Sequence, residues 1–187
     1  MQRKTSSCRQ SLNQKKHAKR VEWEHAVPAE NSGRTFSEWR EGNKACVTSK
    51  GKKFKGRRCT EKTNAEYRLM QSDMYKLYPA IGSVNAMRSH YNFTMFMLPG
   101  EKSDFGSCDM KIDNKKAEPP ENARGRIARS YMYMESAYPR YKMSTSQRQL
   151  MSAWDKQYPV SSWEYKRAER IEKSQGNVNK IIKERCN

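Results

Sequence analysis

Apolar residues recur every three or four positions through the last third of the chain, which is the spacing of one face of an α-helix. The first such stripe predicts a helix over residues 124–138, and Pro139 ends it. The stripe consists of Ile127, Tyr131, Met134 and Tyr138. Stripes of this kind usually form a core and only rarely a platform for stacked bases, so we expect these side chains to be buried.

Two more helices follow, and both carry capping signals. The first begins at a capping box over residues 144–147, where a serine stands three positions before a glutamine, and it ends before Pro159. Its apolar face is Leu150, Trp154 and Tyr158. The second is capped by Ser161 or Ser162 and runs to Gly176, a residue type that favours the left-handed conformation at a helix C-terminus.

The pattern is less regular before residue 124. Imperfect alternation over residues 21–28 predicts a short strand, and helical spacing over residues 64–74 predicts a helix that ends before Pro79. The stripe of that helix is Ala65, Leu69, Met70 and Met74. Residues 98–122 are rich in proline and glycine and predict an irregular connection, with a little β structure near 105–113. The prediction is therefore a mixed α+β, mostly helical fold with a small irregular β part and C-terminal helices.

The composition places the chain among folded, basic proteins. Its 187 residues fit one domain, and an aromatic content of 10% is too high for a disordered chain. The sequence lacks an apolar run of about 18 residues, and its basic start lacks the apolar stretch of a signal peptide. We expect a polar, basic arm over residues 1–20 and a single domain over residues 21–187.

An excess of positive charge points to a polyanionic partner. Lys and Arg number 38 against 20 Asp and Glu, which gives a formal net charge of +18. Cations that neutralise phosphates release condensed counterions, so this excess favours nucleic acid; an anionic membrane and a merely solvated surface are the alternatives.

One segment concentrates this charge. Residues 50–58 contain six cations and no acid, and their two glycines indicate a loop, which we call the basic loop and place over residues 43–60. A flexible basic loop suits a nucleic-acid backbone better than a membrane surface, because few apolar residues interrupt it. The side chains that we expect to bind phosphates are Lys52, Lys53, Lys55 and Arg58.

The cysteines leave two interpretations open. There are five, at positions 8, 46, 59, 108 and 186, and their wide spacing argues against a structural zinc site. Such spacing fits disulfides in an exported protein, whereas reduced thiols would fit the cytosol. Since the count is odd, at least one thiol is free or pairs outside the chain.

The densest chemical signal is the pair Glu24-His25, between Trp23 and Pro28. A histidine beside a carboxylate can act as a general base at neutral pH, because its ordinary pKa is about 6.5. The glutamate can give an oxygen to Mg²⁺, which takes one or two carboxylates together with water and substrate phosphate. Neighbouring side chains of a strand point to opposite faces, so the two groups need a bend or a metal at the strand edge in order to converge.

Longer segments give this pair a context. They are residues 20–29 (RVEWEHAVPA), 72–89 (SDMYKLYPAIGSVNAMRS), 106–108, 123–134 (ARGRIARSYMYM), 153–160 and 163–164. Together they resemble bacterial endonuclease I, a family of periplasmic or secreted non-specific nucleases of the ββα-metal (His-Me finger) type. The resemblance covers roughly residues 18–187.

The resemblance implies a set of roles. His25 falls on the general base that activates water, and Glu24 falls on one protein ligand of a Mg²⁺ ion (or Mn²⁺ or Ca²⁺) at the scissile phosphate. Arg57, which follows Gly56, is the best match to an arginine that holds the phosphate. The implied reaction is hydrolysis of DNA, and of RNA as a second substrate, to 5′-phosphate ends by a monomer in the periplasm or outside the cell.

The sequence departs from the family pattern at the second metal ligand. Where the family has asparagine, this chain has Lys76, and an ammonium has no lone pair to give. Three alternatives follow: a nuclease that binds DNA but cuts poorly, an ammonium that replaces the metal and pairs with Glu24, or a side chain that swings away and leaves Mg²⁺ on Glu24 and water. A catalytically inactive nucleic-acid-binding protein of the same fold is the rival function.

Other residues carry a functional and a structural interpretation side by side. Arg88 either contacts phosphate or supports the site, and Asp73 either binds metal or orients the segment that holds Lys76. Arg124 is a candidate for the nucleic-acid groove, whereas Arg129 lines that groove or pairs with a core carboxylate. The family's cysteine doublet is Cys59-Thr60 here, so one disulfide of the family is expected to be absent or rearranged.

Overall fold

The structure is a computed structural model, and it describes residues 20–95, 105 and 108–185. The helices are α1 Ala29–Gly33, α2 Ser37–Arg40, α3 Arg57–Thr63, α4 Ala65–Ser72, α5 Gly82–Arg88, α6 Glu121–Ala137, α7 Thr145–Gln157, α8 Ser162–Gln175 and α9 Lys180–Lys183. The strands are β1 Val21–His25, β2 Leu77–Ile81, β3 Asn92–Phe93, β4 Lys111–Asp113 and β5 Lys116–Glu118. The mixed, mostly helical class is confirmed. Residues 1–19 of the predicted basic arm lie outside the described part of the chain.

The three helices predicted for the C-terminal third are α6, α7 and α8. Ser144 Oγ accepts the N–H of Gln147 at 3.2 Å, and Ser161 Oγ accepts the N–H of Glu164 at 3.2 Å. Gly176 ends α8 in the left-handed region, with φ of 81°. These signals act within a few residues of the helix ends, which is why sequence alone located them.

Apolar residues of α6, α7 and α8 form part of the core. The buried members are Ile127, Tyr131, Met134, Trp154, Ala168 and Ile171, and Tyr138 and Leu150 pack at the core's edge. Arg129 is buried among them, where it donates to Glu164 at 2.7 Å and to Asp155 at 3.1 Å. Its pairing with core carboxylates is therefore the interpretation that the structure supports. Within the described residues, no helix is long and apolar enough to cross a bilayer.

The first two strands form an antiparallel pair with α5 packed beside them. His25 lies opposite Leu77 in this pair, and Asn85 of α5 donates to Glu22 at 3.0 Å. The prediction for residues 21–28 located β1, but sequence reasoning missed β2 because Pro79 interrupts it. A two-stranded sheet leaves one edge of each strand unpaired, so proline's missing N–H need not cost a ladder hydrogen bond.

The remaining strands form a small sheet in the order β3-β5-β4. β3 is parallel to β5, and β4 is antiparallel to it. This sheet accounts for the small irregular β part: β4 lies within the predicted range 105–113, whereas β3 precedes that range and β5 follows it.

Two local predictions were wrong. The basic loop does not extend to residue 60, because α3 begins at Arg57 after Gly56, whose φ of 76° makes the turn into the helix. A disulfide between Cys46 and Cys59 joins this helix to the preceding loop. The stripe of α4 was also misassigned. Tyr67 and Met70 are the buried pair, whereas Leu69 is 71% exposed.

Candidate active site

The alternation of β1 separates the two candidate catalytic side chains. Glu24 is held on the side of α5, where the guanidinium of Arg88 donates to its carboxylate. His25 is held near the end of α4, where its Nε2 lies 2.9 Å from the carbonyl oxygen of Gln71. The two groups are sequence neighbours with different partners, as a regular strand dictates.

The hydrogen bond of His25 assigns the tautomer of its ring. A carbonyl oxygen only accepts, so Nε2 carries the proton and Nδ1 keeps its lone pair. Burial lowers the pKa of His25 to about 4, and the positive charges of Lys76 and Arg57 act in the same direction. The ring is therefore neutral near pH 7 and has one nitrogen able to take a proton.

Arg57 is brought to the same place by the first turn of α3. Its Nε donates to the side-chain oxygen of Gln71 at 3.3 Å, while the backbone oxygen of Gln71 accepts from His25. The Arg57 side chain is exposed. One residue thus positions the candidate base and the candidate phosphate-binding guanidinium.

Lys76 ends a single 3-10 turn, Met74–Lys76, which leads into β2. Its carbonyl accepts the N–H of Ala26 at 2.9 Å, so the lysine lies directly beside the end of β1. The side chain is 0% exposed, and its Nζ has no hydrogen-bond partner among the described residues. Burial lowers the pKa of Lys76 to about 7; the carboxylate of Asp73 opposes this shift, and the charge of Arg57 adds to it.

The carboxylate of Asp73 acts on Lys76, and its oxygens are already occupied by other donors. Oδ2 accepts from the hydroxyls of Tyr133 and Tyr138, both at 2.7 Å. Oδ1 accepts from the N–H of Tyr75 and from the amide of Gln175, both at 3.0 Å. This aspartate therefore anchors the 3-10 turn to the helical core, and its negative charge acts on Lys76 although it makes no hydrogen bond with the amine.

Arg88 is the partner of Glu24 and is almost completely buried, at 1% exposure. Besides Glu24, it donates to the carbonyl oxygens of His25 at 2.7 Å and Ala26 at 2.8 Å. Burial raises the pKa of Glu24, and the charge of Arg88 opposes that shift. Arg88 was expected either to contact phosphate or to support the site. These contacts favour support of the end of β1, since the guanidinium does not reach the surface.

The candidate nucleic-acid contacts lie mostly on the basic loop. Lys52, Lys53, Lys55 and Arg58 are all exposed, and Arg58 lies 5.2 Å from the centre of the Phe54 ring. Arg124 differs from them, because it is partly buried and pairs with Glu118 at 2.8 Å.

Comparison with known proteins identifies the family. The family model of endonuclease I matches residues 1–186. The chain belongs to the endonuclease I family. Its relatives include a periplasmic deoxyribonuclease of Aeromonas hydrophila, 40% identical over 92% of this chain and 67% of the relative. An extracellular deoxyribonuclease of the same species is 40% identical over 92% of this chain and 70% of its own length. Endonuclease-1 of Buchnera aphidicola subsp. Acyrthosiphon pisum (strain APS) is 37% identical, and the match spans 96% of this chain and 66% of that protein.

Endonuclease I is a family of metal-dependent nucleases, and Glu24 and Lys76 are the residues of this member that bear on a divalent-metal site. Glu24 has a carboxylate, but Arg88 donates to it. The side chain of Lys76 is buried and ends in a nitrogen, so it has no oxygen that could bind a metal ion. Within residues 20–95, 105 and 108–185, no three His, Cys, Asp or Glu side chains cluster as metal ligands do. Lys76 therefore does not fit the place of a second protein ligand of Mg²⁺, which requires oxygen ligands.

Sequence reasoning missed one residue of this endonuclease I site and left the partner of another open. Gln71 links His25 to Arg57, yet nothing in a lone glutamine near a helix end signals that role. One of the three alternatives for Lys76 pairs it with Glu24; in the structure Glu24 pairs with Arg88, and Lys76 Nζ has no hydrogen-bond partner among the described residues. A lysine's partner depends on the register of β1 and β2, which the chain pattern did not show.

Proposed function

We propose that this endonuclease I family member hydrolyses the phosphodiester backbone of DNA without base specificity. In this proposal, β1, β2 and α5 are the ββα core, and His25 is the general base. The observation that carries it is the hydrogen bond from His25 to the carbonyl of Gln71, because it leaves Nδ1 free to accept a proton. The names of the relatives, which include deoxyribonucleases, support DNA as the substrate. RNA remains the second substrate class.

The proposed step uses one water molecule. His25 Nδ1 takes a proton from that water, whose oxygen attacks phosphorus as the P–O3′ bond breaks. The electron pair leaves with the 3′ oxygen, which takes a proton from solvent, and the phosphate stays on the 5′ end. The negative phosphodiester beside the ring raises the pKa of His25, so the substrate itself makes the imidazole a better base.

Arg57 and the basic loop hold the backbone in this proposal. The guanidinium of Arg57 is exposed and can bind two phosphate oxygens at once, which both orients the phosphate and neutralises its charge. The exposed lysines of the basic loop contact neighbouring phosphates, and such contacts carry no base information. Glu24 would be the residue that holds Mg²⁺, although Arg88 already donates to its carboxylate.

We also propose that the protein works in the periplasm or outside the cell. The disulfide between Cys46 and Cys59 supports this location, because such bonds persist in oxidising compartments. Cys108 is disulfide-bonded as well. A fractionation experiment tests this: the protein is expected in the periplasmic or culture fraction, and a purely cytoplasmic pool would contradict it.

Nicking of supercoiled plasmid tests the function. The His25→Ala variant is expected to lose at least about a hundredfold in rate, since general-base catalysis contributes that much or more. His90→Ala is the matched control, because His90 is an exposed histidine away from these contacts. Equal rates for wild type and His25→Ala would refute the role of His25.

The second candidate function is nucleic-acid binding without turnover. The observation that favours it is the burial of Lys76, at the position where the resemblance implies an oxygen ligand of the family. Binding with a steep salt dependence and no nicking under any metal condition would support this candidate over the enzyme.

A further inference from the structure

One face of the β1–β2 pair is apolar and partly open to solvent. Directly opposite residues of an antiparallel pair lie on the same face, so the register of the two strands defines its members. The members of this face, which we call the tryptophan face, are Val21, Trp23, His25, Leu77, Pro79 and Ile81. The acidic residues of β1, Glu22 and Glu24, lie on the opposite face, because side chains alternate along a strand.

Trp23 is the largest exposed side chain of the tryptophan face. It is 66% exposed, whereas Trp154 is buried in the helical core. Val21 beside it is 75% exposed, and Pro79 across the ladder is exposed as well. A single exposed apolar side chain needs no explanation, but a contiguous apolar patch bordered by polar groups is typical of a binding surface.

His25 closes one end of this face. It lies two residues after Trp23, so about 6.6 Å separates the two positions along the strand. Next to His25 lies Gln71, whose backbone oxygen accepts from the imidazole and whose side-chain oxygen accepts from the exposed Arg57. The surface therefore continues from an aromatic ring, through the candidate base, to a guanidinium that can bind phosphate.

We propose that Trp23 is a stacking platform for a base of single-stranded DNA, next to the phosphate that lies at His25 and Arg57. The inference rests on the proposed function and deepens it, since it names unpaired DNA as the substrate class. Sites for single strands combine cationic groups that bind the backbone with aromatic rings on which bases stack, and this surface has both. In a duplex the bases are stacked on one another, so an indole reaches their flat surfaces only after they unstack.

Charge and shape select this occupant over two others. The net charge of +18 opposes the association of two identical chains through this face, and the same charge attracts DNA. A bilayer needs a broad apolar surface, whereas the tryptophan face is two strands wide and ends at His25. A nucleobase is small enough to lie on one indole ring.

Binding of oligonucleotides in EDTA tests the platform without a cleavage step. Fluorescence anisotropy is measured with fluorescein-labelled oligo(dT) and with a labelled duplex, in a His25→Ala parent that leaves the DNA intact. Adding Trp23→Ala should weaken the affinity for oligo(dT) at least about fivefold, as loss of one stacked base does, and should change the affinity for duplex less than about twofold. Trp23→Phe keeps an aromatic ring and should restore most of the affinity for oligo(dT).

Tyr165→Ala is the matched control. It removes an exposed aromatic ring on α8 that lines a separate cavity with Ile182 of α9, so it should leave both affinities unchanged. Indole fluorescence reports the contact itself: oligo(dT) should quench the emission of the parent, and Trp23→Ala should lose most of that quenching. Far-UV circular dichroism shows whether each variant is folded. Equal affinities of the parent and Trp23→Ala for oligo(dT), or equal weakening for oligo(dT) and duplex, would overturn the inference.

The outcomes separate this inference from the proposed function. Nicking that depends on His25, together with a Trp23→Ala variant that binds oligo(dT) normally, overturns the platform and leaves the nuclease assignment standing. Selective loss of oligo(dT) binding in Trp23→Ala, with a wild type that never nicks, supports the platform and refutes the nuclease assignment. A dimer that Trp23→Ala dissociates in analytical ultracentrifugation assigns the face to a second copy of the chain and overturns the platform.

Discussion

The burial of Lys76 could not be predicted from its sequence neighbours. Its neighbours in sequence do not predict its burial, because Met74 is exposed whereas Tyr75 is buried. The burial follows from the start of β2, which places the residue before Leu77 against the end of β1. At this scale the sequence identified the residue and its chemistry, while its surroundings came only from the fold.

The depressed pKa of Lys76 predicts an unusual dependence of stability on pH. The pKa is about 7 in the folded protein against an ordinary 10.5, so between these values the unfolded chain binds more protons. The free energy of unfolding should therefore rise with pH across this window, by an amount on the order of a few kcal/mol, and the cost of the buried charge is fully present below it.

Urea unfolding between about pH 7.5 and 9.5 measures this effect below the range in which tyrosines ionise. Wild type should gain stability with pH across these values, whereas Lys76→Met should lack that gain and be the more stable protein at the acidic end. If the free energy of unfolding changed with pH in the same way for both proteins, the lowered pKa of Lys76 would be contradicted.

At the scale of elements, helix ends were easier to predict than strand pairs. Ser144, Ser161 and Gly176 act locally, and proline residues limit the helices that precede them. β2 carries Pro79 and has no alternating pattern, so its pairing with β1 depends on contacts between segments about fifty residues apart. The sequence did not predict α3 for a different reason: a cluster of cations shows no apolar spacing and so resembles a loop even where it forms a helix.

The disulfide that joins α3 to the basic loop predicts an effect on both stability and phosphate binding. Cys46 and Cys59 are 13 residues apart, and closing a loop of that length stabilises a protein by about 3 kcal/mol. The Cys46→Ser/Cys59→Ser double variant should lose about that much free energy of unfolding.

Because α3 carries Arg57, the same double variant should also bind phosphate less tightly. Denaturant unfolding and phosphate titration measure the two effects. The single variant Arg58→Gln is the control for charge on α3, and it should keep the wild-type stability. A double variant with unchanged phosphate affinity would show that α3 positions Arg57 without the disulfide.

At the scale of the whole molecule, charge is distributed unevenly. Several cations are neutralised inside the fold, as Arg129 is by Glu164 and Arg88 is by Glu24. The exposed cations of the basic loop form no ion pair with a carboxylate among the described residues. The net charge of +18 is therefore spread unevenly: the buried arginines are paired with carboxylates, whereas the cations of the basic loop are exposed and unpaired among the described residues.

This distribution predicts the salt dependence of DNA binding. Each phosphate contact contributes about 0.9 to the slope of log K against log salt on duplex DNA. Replacing Lys52, Lys53 and Lys55 by glutamine should therefore reduce the slope by up to about three contacts' worth, or roughly 2.7.

Fluorescence anisotropy over a range of salt concentrations measures this slope. Replacing three exposed lysines of α8 and α9, Lys166, Lys173 and Lys183, is the matched control and should leave the slope nearly unchanged. Equal reductions in both triple variants would show that binding follows net charge alone and does not use the basic loop.

From the sequence alone came the fold class, the family, the pair Glu24-His25 and the departure at Lys76, because these depend on residue identity and on spacing within single segments. Only the tertiary structure decided which groups meet. It pairs Glu24 with Arg88, joins His25 and Arg57 through Gln71, and leaves the amine of Lys76 buried without a described partner. The physical reason is that strand register and helix packing set the partners of a side chain, and both depend on residues far apart in the chain.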